Sequence, residues 1–258
     1  MKPWTTKPIC ASLSALSPLS RFPLAPHERV LLRLRSVSMR YAAGAEVLHD
    51  IDLTLKAASF RFLVGPSGAG KTSLLRVISL SVPVSRGTIT LFGREVGGLG
   101  AAERARLRRR IGVVFQDFRL LDHLTVFDNV ALPLRVNGVP EDAVGRLVPE
   151  LLEWMGLKIL APLPPAELSV GERQLVAIAR AVITRPDLLL ADEPLSNVDA
   201  RRAERLMYLF TELHRRGTAV VLATHNNDLL QRYRFPILEM HAGRLRSGSL
   251  SCPLATVE

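Results

Sequence analysis

The sequence predicts an α/β protein with a largely parallel sheet and a smaller antiparallel patch. Three observations lead there. Apolar, β-rich runs recur along the 258 residues as LLRLRSVSM, SFRFLV, GTITLF, IGVVF, DLLLAD, TAVVLAT and FPILEM. Helix-period patterns separate the later runs, and strands alternating with helices imply right-handed βαβ crossovers. A glycine-rich stretch, GPSGAGKT, directly follows SFRFLV, where a strand must hand over to a helix.

Taken in order, residues 1–29 read as a disordered extension. They are rich in Ser and Pro, lack acidic residues before Glu28 and hold no period. ICASLSALSPLS is too short and too interrupted for a secretory signal. The patterned region begins at Val30. Early short strands with turn signals form the antiparallel patch. Helical periods follow Lys71 and recur around residues 142–156, 170–185 and 200–216, and residues 248–258 read as a tail. Ahead of the third period, APLPPAE is a stiff proline-rich connector. There Ser169 and Glu172 have the S-x-x-E spacing of a capping box. Leu175, Ile178, Ala179, Val182 and Ile183 then repeat at helical spacing until Pro186. Gly171 sits in the first turn, where glycine costs about 1 kcal/mol relative to alanine. Propensity alone does not account for it.

Composition excludes several classes. Hydrophobic content of 48% and charged content of 22% are those of a globular protein. No run approaches the roughly 20 apolar residues needed to span a bilayer. Cys10 and Cys252 are the only cysteines, so no disulfide framework or cysteine metal site is legible, and a cytosolic compartment fits. The net charge of +10 is concentrated in the first 40 residues and in RARLRRR, Arg104 to Arg110. That cluster reads either as a solvated face or as a contact for lipid phosphates or a partner. Aromatic residues do not interleave with it, so a base-stacking surface is not supported and no nucleic acid is expected.

The chemistry-bearing residues lie at the ends of the apolar runs. GPSGAGKT, Gly65 to Thr72, matches G-x-x-x-x-G-K-[ST] after a strand. Gly65, Gly68 and Gly70 allow backbone N–H groups around Pro66, Ser67, Ala69 and Ser73 to turn inward on phosphate oxygens. Lys71 reaches the terminal phosphates, Thr72 offers a hydroxyl to Mg²⁺, and the helix that follows points its positive end at the same charge. DLLLADEP ends a buried strand in adjacent carboxylates, Asp192 as a Mg²⁺ ligand and Glu193 to polarise the attacking water. His225, after TAVVLAT, can steady that water; Gln116, after IGVVF, can serve the metal and the nucleophile; Tyr41 can stack on adenine.

These segments, together with LSVGERQ and SNVD (Ser196 to Asp199), follow the order and approximate spacing of ATP-binding-cassette ATPases. The resemblance covers about residues 32–246. It implies an ABC-type nucleotide-binding domain: a RecA-like parallel-sheet core, an antiparallel β subdomain and an α-helical signature subdomain at about residues 119–183. It also implies ATP and Mg²⁺, and a homodimer in the ATP-bound state with nucleotide sandwiched between copies. The glycine loop of one copy then faces the signature helix of the other, with Ser169, Gly171 and Glu172, and Asp199 is a further nucleotide-binding residue. Under that reading Gly171 leaves the helix mouth open to a phosphate. The sequence departs from the family at Val170, at SNVD and at Ala58, where glycine, GNLD and glycine are common; Val170 bears on hydrolysis rate.

Within the family, IGVVFQDFRLLDHLTVFDNVALPL resembles the cell-division branch. This implies a peripheral subunit at the cytoplasmic face of the bacterial inner membrane. Its integral membrane partner, FtsX-like, would contact the region around Phe118–Leu121. The alternatives are the ATPase of a lipoprotein-releasing or macrolide-type exporter, and an ATP-gated scaffold with little hydrolysis.

Overall fold

The computed structural model describes residues 29–42 and 44–247. Of the predicted N-terminal extension only Arg29 is described, its carbonyl accepting the Ala57 N–H at 2.8 Å; the rest of it and the predicted C-terminal tail lie outside the described residues. The chain divides into two compact units, one formed by residues 117–185 and the other by the segments on either side.

The flanking segments build two sheets. In the first, β1 (Val30–Arg40) pairs antiparallel with β2 (Glu46–Lys56) and with β4 (Arg86–Leu91), which carries the short β5 (Arg94–Glu95). The second has the order β10-β9-β3-β8-β7-β6. Here β3 (Phe60–Val64), β6 (Ile111–Val114), β7 (Leu188–Asp192), β8 (Ala219–Ala223) and β9 (Ile237–His241) run parallel, and β10 (Arg244–Ser247) closes the edge antiparallel. Every residue of β7 and β8 is buried. Continuous apolar runs such as LLLA and AVVLA are what strands covered on both faces require. Each fully buried Leu or Val contributes roughly 1.5–3 kcal/mol of transfer free energy.

Helices α1 (Lys71–Ile78), α2 (Ala101–Arg108), α6 (Ala200–Arg215) and α7 (Asn227–Tyr233) belong to this unit. The unit of residues 117–185 is helical: α3 (Val126–Val136), α4 (Glu141–Met155) and α5 (Val170–Val182). Thr125 caps α3, accepting the Asp128 N–H at 3.1 Å. Gly156 ends α4 in the left-handed conformation with φ 75°.

Three helices are absent from those the periodicity predicts: α2, α3 and α7. Strand β2 is also absent from the predicted runs. In β2 Leu48 and the alternating Ile51, Leu53 and Leu55 are buried, but His49, Asp50 and Asp52 break its β-rich composition.

Candidate active site

Four neighbouring parallel strands deliver candidate residues to one edge of the sheet. β3 runs into Gly65–Gly70, β8 into Thr224 and His225, β7 ends at Asp192 with Glu193 next, and β6 continues to an exposed Gln116. Because these strands share one direction, their carboxyl ends lie together, where open α/β sheets hold ligands.

Gly65, Gly68 and Gly70 have φ of 151°, 77° and 102°. At Gly65 the requirement is also steric, since a Cβ would stand 2.2 Å from the Met240 carbonyl oxygen. The Ala69 N–H donates to Pro66 O at 3.2 Å, and the Ala69 carbonyl accepts the Gly243 N–H at 3.0 Å, tying the loop to the β9–β10 turn. The Lys71 ammonium donates to the carbonyl oxygens of Gly65 at 2.7 Å and Pro66 at 3.0 Å. Its charge is thereby folded back over the loop. Ser67 is exposed, and Ser73 Oγ lies 3.1 Å from the Tyr41 hydroxyl.

Thr72 Oγ1 donates to Asp192 Oδ2 at 2.6 Å. Burial pushes the Asp192 carboxyl above its ordinary range; the Thr72 hydrogen bond opposes this, and the neighbouring Glu193 charge adds to it. Glu193 adopts φ 48°, a left-handed conformation costing on the order of 1–3 kcal/mol for a residue other than glycine. It is held by its N–H bond to Ala223 O at 3.0 Å and by its carboxylate, whose Oε1 lies 2.7 Å from His225 Nδ1. With Glu193 ionised, Nδ1 carries the proton of that bond. Asp199 caps α6, accepting the Arg202 N–H at 2.9 Å.

The structure thus brings together Tyr41, the glycine loop, Lys71, Thr72, Ser73, Asp192, Glu193 and His225. Ser169, Gly171 and Glu172 belong to the helical unit. There Ser169 caps α5 in a complete capping box: Glu172 Oε2 accepts from Ser169 N at 2.8 Å and from Ser169 Oγ at 2.6 Å, while Oγ accepts the Glu172 N–H at 3.3 Å. Val170 is 46% exposed, so the departure from glycine leaves an apolar side chain on the outside of the helix mouth.

Two residues of the helical unit escape sequence reading. Asn129 is fully buried; its Oδ1 accepts the Leu121 N–H at 2.8 Å and its Nδ2 donates to the carbonyls of Leu121, Leu124 and Thr125 at 3.0, 3.2 and 3.0 Å. Arg180 donates to the carbonyls of Arg119 and Phe118, both at 2.7 Å. FDNV offers a faint signal for Asn129, a polar residue inside an apolar helical stretch. Arg180 has none, because its partners are backbone atoms of a distant segment.

Among the described residues no group of three or more His, Cys, Asp or Glu side chains could hold a metal. The Thr72 hydroxyl and Asp192 carboxylate are instead a pair of hard oxygen donors beside the lysine-bearing glycine loop. That set fits Mg²⁺, which keeps waters and substrate phosphates as its remaining ligands.

The ABC transporter family model matches residues 48–196. The cell division ATP-binding protein FtsE of Mycobacterium tuberculosis is 41% identical over 217 residues, covering 84% of this chain and 94% of the relative. FtsE of Escherichia coli K12 is 39% identical, with coverage of 84% and 98%. Among solved structures, a dimeric post-hydrolysis state of the ATP-binding cassette MJ0796 bound to ADP and Pi superposes with a TM-score of 0.79 at 31% identity. It covers 86% of this chain and 99% of that one. The glycine loop, the Thr72–Asp192 and Glu193–His225 pairs and the capped α5 are thus carried on a chain that belongs to the ABC transporter family, as one of its ATPases, in the FtsE cell-division group.

Proposed function

We propose that this chain binds and hydrolyses ATP as the nucleotide-binding subunit of a membrane-associated complex that acts in bacterial cell division. The observation that carries this is the side-by-side placement of two polar pairs, Thr72–Asp192 and Glu193–His225, beside the lysine-bearing loop.

The loop N–H groups from Gly65 to Ser73 hold the phosphates, and Lys71 neutralises the terminal ones. Tyr41 stacks on the adenine. Thr72 and Asp192, with Gln116 at the end of the neighbouring strand β6, would hold Mg²⁺, which would supply charge neutralisation on the transferring group. Glu193 accepts a proton from the attacking water, and His225 fixes its carboxylate through the 2.7 Å contact. The family's dimeric relatives support a homodimer in the ATP-bound state, in which Ser169, the bare Gly171 backbone, Glu172 and Asp199 of one copy face the loop of the other.

Among the described residues no helix is long and apolar enough to cross a membrane. By its likeness to the FtsE proteins the chain acts peripherally at the cytoplasmic face of the inner membrane, through an FtsX-like integral partner that contacts Phe118–Leu121. Phosphate release with and without the membrane protein that co-purifies tests the reading. Glu193→Gln is expected to retain ATP binding and to lower turnover at least ~100-fold, the usual share of a general base. Unchanged turnover removes Glu193 from the mechanism. Turnover in the wild type no higher than in Lys71→Ala makes the chain a nucleotide-gated scaffold instead.

A further inference from the structure

We propose that Arg180 is a positioning residue that fastens the turn at Phe118–Arg119 to helix α5, so that this loop and the helix mouth at Ser169 move as one piece. The consequence for signalling rests on Phe118–Leu121 being the loop that meets the membrane partner.

Phe118 and Arg119 adopt φ of 56° and 50° in succession, and neither is glycine. Consecutive left-handed residues with a Cβ do not persist unless their surroundings hold them. The hold is visible. Arg180 Nη1 donates to Arg119 O and Nη2 to Phe118 O, each at 2.7 Å, so one planar guanidinium takes the two carbonyls of the strained pair. Among the described residues no carboxylate lies within ion-pair distance of Arg180, and partial burial lowers the pKa of its guanidinium. A half-buried cation with no carboxylate in ion-pair distance finds its partners in the carbonyl pair it contacts. Lysine, a point donor on a flexible stem, does not reproduce a fork.

The far end of the loop is anchored independently. Asn129 on α3 bonds Leu121, Leu124 and Thr125, so the loop is gripped from both sides of the helical unit. Arg180 lies on the helix that begins at the Ser169 cap. Any displacement of that cap is delivered to Phe118 through a rigid helix and two hydrogen bonds.

The experiment uses the full chain. In Arg180→Lys, backbone amides of residues 118–121 are expected to exchange at least ~10-fold faster, the signature of local opening. Melting temperature and basal phosphate release stay near wild type. Arg119→Asn in the same background is expected to slow exchange again, because asparagine tolerates left-handed backbone. A generic packing role for Arg180 predicts no such rescue. In the membrane complex as purified, Arg180→Lys is expected to lose most of the partner-dependent increase in phosphate release. Exchange unchanged in both Arg180→Lys and Arg180→Ala overturns the clamp, whatever the complex does. Faster exchange with the increase intact overturns the transmission. Phe118→Ala tests the docking reading separately: an undiminished increase there sinks that reading, while the exchange result still decides the clamp.

Discussion

Asp192 serves two opposed demands. It is 4% exposed, and burial raises its pKa, so folding without metal disfavours its charged form relative to the unfolded chain. That contribution to stability is complete below the unfolded value, about 3.9, and is lost as pH rises through the elevated folded value. At neutral pH the carboxylate therefore strains the apo fold, which it repays only when it meets a cation. Asp192→Asn should raise the apo melting temperature at pH 7, with the gain shrinking as pH falls toward 4, while Mg²⁺-dependent turnover drops ~10- to 100-fold or more. Thermal scans across pH with parallel phosphate-release assays check both halves. A lower melting temperature at pH 7 would contradict the burial argument. At this scale the site was largely legible. Lys71, Thr72, Asp192, Glu193 and His225 each have a side-chain type that their chemistry demands, at the end of a readable strand. Arg180 was not legible, because its task is set by the φ angles of Phe118 and Arg119, which no side-chain pattern encodes.

Helices α3 and α4 show how an element can depend on its ends. Arg135, in the last turn of α3, donates to Asp128 at 2.8 Å and makes a two-pronged contact with Glu141 at the start of α4, at 2.8 and 3.1 Å. Its guanidinium and the Thr125 hydroxyl hold the Asp128 carboxyl below its usual range. A lowered acid stabilises above its unfolded pKa, and that stability disappears as pH falls through the folded value. Arg135→Ala should lower the melting temperature by ~1–3 °C at pH 7, as expected of a partly solvated network, and by less at pH 3. An equal loss at both pH values would assign the effect to packing. Legibility at this scale followed burial. The strands covered on both faces spelled themselves out in LLLA and AVVLA. The half-exposed β2 did not, because its polar face carries Asp50 and Asp52. Helix α3 was obscured by Pro133, which lacks the N–H that a helix interior uses.

For the whole molecule, the feature with the widest reach is the open mouth of α5. Gly171 is its second residue and is half-buried. On the proposed reading, Gly171→Asp would set a carboxylate where the nucleotide of the other copy is received. It should weaken ATP-dependent dimers at least ~10-fold, equivalent to about 1.4 kcal/mol. Light scattering on the slow-turnover Glu193→Gln background reads this directly. Dimers of undiminished strength would mean that the two copies do not meet through this helix end.

The serine at that mouth has one hydroxyl hydrogen, and Glu172 already receives it at 2.6 Å. While it does, Ser169 Oγ can offer an incoming phosphoryl oxygen only lone pairs, and anion faces anion-like density. Recognition through this hydroxyl therefore requires the hydrogen to swing away from its own helix. Docking and self-capping compete for a single atom, and the Val170 and Gly171 amides, unlike that of Glu172, are donors the cap does not engage.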